Sequence, residues 1–257
     1  MSVFGDTYAR YYALLYRDKD YDGEADFVAS LLREHAPEAR SLVEFGCGGG
    51  KHAALLAERG FAVTGVDRSA GMLDEARALA ATHDADVAAR LAFAEGDFTS
   101  AQLGKTFDCA ISLFHVVSYM PDNAALKAAF ATARRHIDKG GVFLFDVWHG
   151  PAVLTERPST RIKRMADERI EVTRLAESTL HPNECLVDVN YQVFVRDRSD
   201  RTVDEIRETH RMRYLFPPEI ELFADLSGFR VEHSCEWMSR KQPDDRTWGV
   251  CYVLRAV

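Results

Sequence analysis

The sequence predicts an α/β fold: a doubly wound, mostly parallel sheet with an antiparallel three-stranded meander inserted after the fifth strand. Three observations carry this. Short apolar runs alternate with amphipathic stretches from residue 41 to 148. A glycine-rich loop in VEFGCGGGKHA, residues 43–53, leaves the first of those runs and enters a helical pattern. Beyond residue 158 the pattern changes to long polar/apolar alternation, the mark of antiparallel strands with one dry face. At 257 residues, 47% hydrophobic, the chain suits one domain. Residues 1–36 form a front segment and residues 158–216 an insert within it.

In the front segment Phe27, Leu31 and Leu32 recur at helical spacing, and Pro37 closes the helix. SLVEFG (41–46) reads as a buried strand and KHAALLAERG (51–60) as a helix stopped by Gly60. FAVTGVD (61–67) is the second strand. SAGMLDEARALAATHD (69–84) is a helix with Ser69 as N-cap and Met72, Leu73, Ala76, Leu79 and Ala80 on one face. LAFAEGD (91–97) and FDCAISLF (107–114) are strands three and four. NAALKAAFATARRHID (123–138) is a helix with Leu126, Phe130 and Ile137 inward, and Lys139-Gly140-Gly141 turns the chain into the buried strand GVFLFDVW (141–148). The meander comprises 169–179, 185–197 and 201–216, joined by the turn-like HPNE and DRSD. A helix (219–228) follows Pro217-Pro218, and two strands, 229–238 and 247–257, close the chain.

Composition excludes several classes. A net charge of −8 argues against DNA or bulk RNA as substrate. The five cysteines form no CxxC pair and no metal-ligand spacing, which reads as buried thiols in a reducing, cytoplasmic setting. The start MSVFGDTYARYY has no signal-peptide pattern, and no apolar run approaches a membrane span. Asp122-Asn123 could suggest a metal-assisted reaction but suits a helix cap better, and no metal is expected.

What does the glycine loop hold? A triphosphate loop needs glycine where Phe45 stands and Ser or Thr where His52 stands. A dinucleotide loop needs a third glycine where Lys51 stands, whose side chain would project toward a pyrophosphate. The remaining pattern is E-x-G-x-G-x-G: Glu44, Gly46, Gly48, Gly50. An acid before the loop attracts an ammonium group. Asp67, ending the next strand, is placed for two ribose hydroxyls. Asp97, at the end of the third, can accept adenine amino hydrogens, with Phe98 flanking the ring. An ammonium, a carboxylate and a ribose without phosphate describe S-adenosylmethionine. A tight turn holding nothing stays open, since fold alone never proves a ligand.

At these residues the sequence resembles the class I S-adenosylmethionine-dependent methyltransferases, through VEFGCGGG, TGVDRSAGML, EGDF, FDCAISLF and GGVFLFDVW in that order. YYALLYRDKDYDGEA and the meander are similar to a narrower branch, which includes the N,N-dimethyltransferases of nucleotide-linked deoxyamino sugars and unassigned bacterial relatives linked to polysaccharide pathways. The resemblance implies a Rossmann-like methyltransferase sheet. It implies that Gly46, Gly48 and Gly50 pack on the methionyl part of S-adenosylmethionine, with Glu44 orienting its amine. Asp67 would hold the ribose, with Arg68 and Met72 beside the adenosine, and Tyr12 and Tyr21 closing over the methionine end. Leu113, at the end of the fourth strand, joins this cofactor set. The chain departs from the branch twice: Gly49 replaces the usual Thr of the loop, and Tyr119 stands where sugar N-methyltransferases carry a His.

Acceptor chemistry belongs beyond the carboxyl ends of the strands, where LFHVVSYM (113–120), DVWHG (146–150) and the front segment converge. Methyl transfer from a sulfonium needs mainly proximity and alignment, and a base where the acceptor must lose a proton. His115 is the first base candidate, with Tyr119 and His149 as further catalytic candidates; a histidine bonded to backbone is the plainer alternative. Trp148 could wall a ring-shaped acceptor or simply pack. Arg211 and Arg213 share a strand face that could take a diphosphate, or stand as a solvated face opposite acids of the preceding strand. Tyr16 completes the acceptor set, and RIKR (161–164) reads as a solvated charge run. The expectation is methyl transfer to a small molecule, a sugar or nucleotide-linked amino sugar. An NAD(P)-dependent oxidoreductase and a non-catalytic cofactor-binding module are the rivals. The meander would cover the pocket or serve a homo-oligomer contact.

Overall fold

The computed structural model describes Tyr11 and residues 14–257. By its internal contacts the chain separates into two compact units. The larger holds residues 21–155 and 213–257; the smaller holds residues 156–212 and the described residues up to Asp20.

The larger unit opens with α1 (Tyr21–His35), β1 (Ser41–Phe45), α2 (Lys51–Glu58), β2 (Ala62–Asp67), α3 (Ala70–Ala80), the single turn α4 (Ala85–Ala88), β3 (Leu91–Glu95) and β4 (Phe107–Ser112). A 3-10 turn (Val116–Tyr119), α5 (Asn123–Arg135), β5 (Ile137–His149) and α6 (Gly150–Glu156) follow. After the smaller unit come α7 (Pro217–Leu226), β10 (Phe229–Glu236) and β11 (Gly249–Ala256). Its sheet runs β3-β2-β1-β4-β5-β11-β10, parallel through β5, with β11 and β10 antiparallel. Strand residues alternate between two cores, as a pleated sheet covered on both faces requires. Val43, Phe45, Phe143 and Phe145 face α5 and α7, with Phe130 and Phe223. Leu42, Ile111 and Leu144 face α1 and α2, with Val28, Leu31 and Leu56.

Local chemistry sets the boundaries. Ser69 caps α3 by accepting from Met72 N at 3.3 Å. Asp122 caps α5 by accepting from Ala125 N at 2.8 Å, which gives the Asp122-Asn123 pair its structural role. The expected helix 123–138 stops at Arg135. His136 ends it: its Nδ1 lies 2.8 Å from Thr132 O, its Nε2 accepts from Leu103 N at 3.1 Å, and Ile137 already pairs with Phe107 in the sheet.

The smaller unit holds β6 (Arg161–Ala166), β7 (Ile170–His181), β8 (Leu186–Asp197) and, through Met212, most of β9 (Val203–Leu215). The order is β9-β8-β7-β6, so the meander has four strands rather than three. The extra strand is the RIKR run, antiparallel to β7 and largely exposed. Lysine and arginine on an edge strand guard it against pairing with other chains. Ile170, Val172, Val193 and Val195 form the dry face, and Tyr11, Leu14 and Leu15 of the front segment pack on it.

At the far edge of the larger unit, Arg255 donates from Nε and Nη2 to Glu232 at 2.6 and 2.8 Å, and His35 Nδ1 lies 3.0 Å from the same carboxylate. Arg255 thereby holds Glu232 at about 2, below the ordinary 4.5. A lowered carboxylate contributes stability above its unfolded value and loses it as the pH falls through the folded one. Glu232→Gln is expected to lower the urea midpoint at neutral pH, with the difference closing as the pH falls toward 2. In the core, Phe130→Ala is expected to cost about 3–5 kcal/mol in urea unfolding, against less than about 0.5 kcal/mol for the exposed Leu222→Ala.

Candidate active site

The site is built at the carboxyl ends of β1, β2, β4 and β5. The loop after β1 takes left-handed φ at Gly46 (77°), Gly48 (51°) and Gly50 (76°), a region open to glycine at little cost. Each absent side chain also makes room for the protein itself. A Cβ at Gly46 would stand 2.7 Å from both Val116 methyls, one at Gly48 3.2 Å from Met72 Cε, and one at Gly50 2.9 Å from Ala76 Cβ. The loop is braced by Gly46 N and Cys47 N donating to Val66 O, and by Gly48 N donating to Asp67 Oδ2 at 2.9 Å. Asp67 Oδ1 accepts from Ser69 N at 2.9 Å. α2 then starts at Lys51 with no side-chain cap on its first turn, which leaves a positive dipole end beside the loop.

Three acids stand at successive strand ends. Glu44 is 1% exposed and lies under His52, whose Nδ1 is 3.9 Å from Glu44 Oε1 and whose Nε2 is 2.7 Å from Glu24 Oε2. Tyr21 packs on the His52 ring at 5.1 Å and takes Lys51 Nζ over its own ring at 4.7 Å. Asp67 holds the loop as described. Asp97 is exposed, and the Thr99 hydroxyl and amide, at 2.5 and 2.8 Å, hold it below the usual carboxylate value. Arg68 is exposed, Met72 half-buried and Leu113 buried. Phe98 does not border open space: its ring stacks on Phe45 at 4.5 Å inside the core. Tyr12 lies outside the described residues.

The segment after β4 is strained. Phe114 and His115 both take left-handed φ, 64° and 60°, at about 1–2 kcal/mol each for residues with a Cβ. The turn carries His115 to Asp146, a carboxylate 1% exposed inside the apolar strand β5. His115 N donates to both Asp146 oxygens at 3.2 and 3.1 Å, and His115 Nδ1 lies 2.7 Å from Oδ2. That ring contact is short but lacks hydrogen-bond geometry as it stands. A buried carboxylate left without such partners would cost several kcal/mol. The buried Ser118 accepts from Trp148 N at 3.1 Å and ties the 3-10 turn to β5, while Trp148 meets the His115 ring edge-on at 6.3 Å. Asp146, Val116 and Ser118 escaped the sequence reading. An acid inside the apolar run VFLFDVW was the available signal for Asp146.

The other candidates fall elsewhere. Tyr119 ends the 3-10 turn, 40% exposed. His149 is buried, and burial pushes its imidazole below the ordinary value, with Asp244 opposing. Arg213 is buried beside Glu219, with Nη2 donating to Glu219 Oε1 and, at 2.6 Å, to Asn123 Oδ1. Arg211 grips Asp188 through two bonds of 2.7 and 2.8 Å. Both arginines are thus paired with carboxylates of the chain itself. Tyr16 lies in the smaller unit beside Arg174 and Tyr191, with burial raising its phenol. Among the described residues, no three His, Cys, Asp or Glu side chains gather as a metal site, and no helix is long and apolar enough to cross a membrane.

Residues 42–141, which carry the glycine loop and the acids at the ends of β1 to β3, match the methyltransferase domain family. This chain is an S-adenosylmethionine-dependent methyltransferase. Its cofactor is S-adenosylmethionine. The groups present fit that molecule: carboxylates able to accept from an ammonium and a ribose, and a helix start able to face a carboxylate. The methyltransferase is 28% identical over 228 residues to the dTDP-3-amino-3,4,6-trideoxy-alpha-D-glucopyranose N,N-dimethyltransferase of Streptomyces venezuelae, covering 89% of this chain and 90% of that one. It is also similar to the solved sugar N-methyltransferase KedS8 of Streptoalloteichus: TM-score 0.80, 25% identity, 100% of this chain and 97% of that one. A solved S-adenosylmethionine-dependent methyltransferase of Clostridium acetobutylicum shares the fold, with TM-score 0.81, 22% identity and 98% of both chains.

Gly46→Ala is expected to destabilise this methyltransferase through its left-handed backbone, by roughly 1–2 kcal/mol, and through collision with Val116, by about 1–3 kcal/mol. Adding Val116→Ala is expected to recover only the second part. Urea unfolding of the two single variants and the double variant measures the split.

Proposed function

We propose that the methyltransferase acts on the amino group of a nucleotide-linked sugar. One observation carries this reading. The likeness to the Streptomyces venezuelae N,N-dimethyltransferase spans about nine-tenths of both chains, well beyond the cofactor-binding residues 42–141. The likeness thus takes in sequence that cofactor binding alone does not require.

Within this reading Glu44 orients the cofactor amine, Gly46, Gly48 and Gly50 lie along its methionyl part, and Tyr21 closes over that end. Asp67 takes the ribose, Asp97 the adenine amino group, and Met72 and Arg68 flank the adenosine. When bound, S-adenosylmethionine supplies a methyl group on a sulfonium, whose C–S bond breaks as the acceptor nitrogen forms its new bond to carbon. The chain's own task is alignment, water exclusion and removal of the acceptor's proton. His115 is the base, since its ring stays 27% exposed. Tyr119 orients the acceptor and Trp148 walls its ring. His149, buried and held neutral, supports the end of β5.

Two measurements test this. Asp67→Asn keeps an oxygen for the Gly48 amide, turns its NH₂ toward Ser69 N and loses the charge for the ribose, so calorimetry is expected to show S-adenosylhomocysteine bound on the order of 10- to 100-fold more weakly. Mass spectrometry of a panel of dTDP-linked sugars, with and without an amino group, incubated with S-adenosylmethionine, is expected to show one or two added methyl groups on the amino sugars. Methylation confined to hydroxyl-only sugars of the same panel would refute the amine acceptor.

A further inference from the structure

We infer that Asp146 is the positioning residue for His115, fixing the ring tautomer that lets its Nε2 accept the acceptor's proton. The inference rests on the reading of His115 as the base. Three observations join in it. Asp146 is buried in β5, and its contacts with His115 run through one residue's backbone N–H and ring Nδ1. Two consecutive left-handed residues, Phe114 and His115, put that residue there. The ring can still be reached, since the His115 side chain stays 27% exposed.

A carboxylate can only accept hydrogen bonds, so the nitrogen facing it must carry the proton. With Nδ1–H turned toward Asp146, the lone pair of the neutral ring lies on Nε2. The acceptor's ammonium gives one proton to Nε2, its nitrogen lone pair becomes free to form the bond to carbon, and the imidazolium returns the proton to water. Asp146→Asn tests the role while keeping shape. Its amide oxygen still accepts from His115 N, but its NH₂ donates to Nδ1 and moves the ring proton to Nε2. An aspartate-to-asparagine change beside a catalytic histidine acts this way in serine proteases.

The experiment uses the full chain with 15N-labelled histidine, saturated with S-adenosylhomocysteine. Long-range proton–nitrogen NMR at alkaline pH reads the tautomer, with His115→Gln assigning the signal. Wild type is expected to show Nδ1–H at His115 and Asp146→Asn to show Nε2–H, with S-adenosylhomocysteine affinity unchanged in both. With dTDP-3-amino-3,4,6-trideoxyglucose as acceptor, His115→Gln and Asp146→Asn are each expected to lower kcat by about 10²–10⁴-fold. The double variant is expected to be no slower than the slower single one.

Nε2–H in the wild type overturns the inference, and does so even where Asp146→Asn fails to fold. A slow His115→Gln beside an Asp146→Asn of normal rate overturns Asp146 alone and leaves His115 as base. A His115→Gln of normal rate removes the base and the inference together. Absence of turnover by the wild type fails the acceptor reading, and the tautomer result still decides whether Asp146 positions the ring.

Discussion

Gly46 has no side chain, and on that the site's assembly depends. Val116 occupies the space where a Cβ would be, so the segment after β4 closes directly over the loop after β1. Two further ties follow from that closure. Ser118 receives the Trp148 amide, and His115 lies against Asp146, which joins the same segment to the end of β5. The loop after β1 and the segments after β4 and β5 are thereby tied together. Rigid placement is what a displacement reaction asks of a protein, since small misplacement costs rate steeply.

The larger unit buries more charge than a hydrophobic core needs. Glu44 under His52, Asp146 under His115, and Arg213 beside Glu219 each place a charged side chain out of water. Such pairs seldom improve on apolar packing, so their presence asks for a reason beyond stability. The first two sit at strand ends that face the chemistry. The third is different: Arg213 and Asn123 link the end of β9, the start of α5 and α7. Arg213 buys geometry at that junction, and its burial sets it apart from the exposed Arg211 two residues earlier.

How much of this was legible in the sequence follows from what kind of signal each part leaves. The parallel core was legible because alternation of buried strands with amphipathic helices is a property of many residues at once. The glycine loop was legible because φ > 0 and close approach restrict residue type. β6 was hidden because an edge strand needs little apolar content, and RIKR looks like any solvated run. The end of α5 was misplaced because Ile137 continues the helical spacing of Phe130, while the stop comes from His136 bonding back to Thr132 and across to Leu103. Phe98 was assigned to a ring-shaped ligand because nothing in EGDF reveals that Phe45 already stacks on it. Asp146 stayed hidden because its partner lies beyond the end of the neighbouring strand β4 and is brought there by two residues of left-handed backbone.

With an amine acceptor, methyl transfer from a sulfonium moves one positive charge from sulfur to nitrogen and creates none. Carboxylates near the donor alone would favour the starting state and slow the transfer, because only interactions stronger in the transition state accelerate it. Glu44, Asp67 and Asp97 lie at the ends of β1 to β3 and suit cofactor binding. Asp146 stands apart from them on β5, behind His115, in the part of the site assigned to the acceptor. A negative charge there favours the state in which positive charge has reached the acceptor or its proton has reached the imidazole. In the proposed reading, the distribution of acids along the sheet separates holding the cofactor from driving the reaction forward.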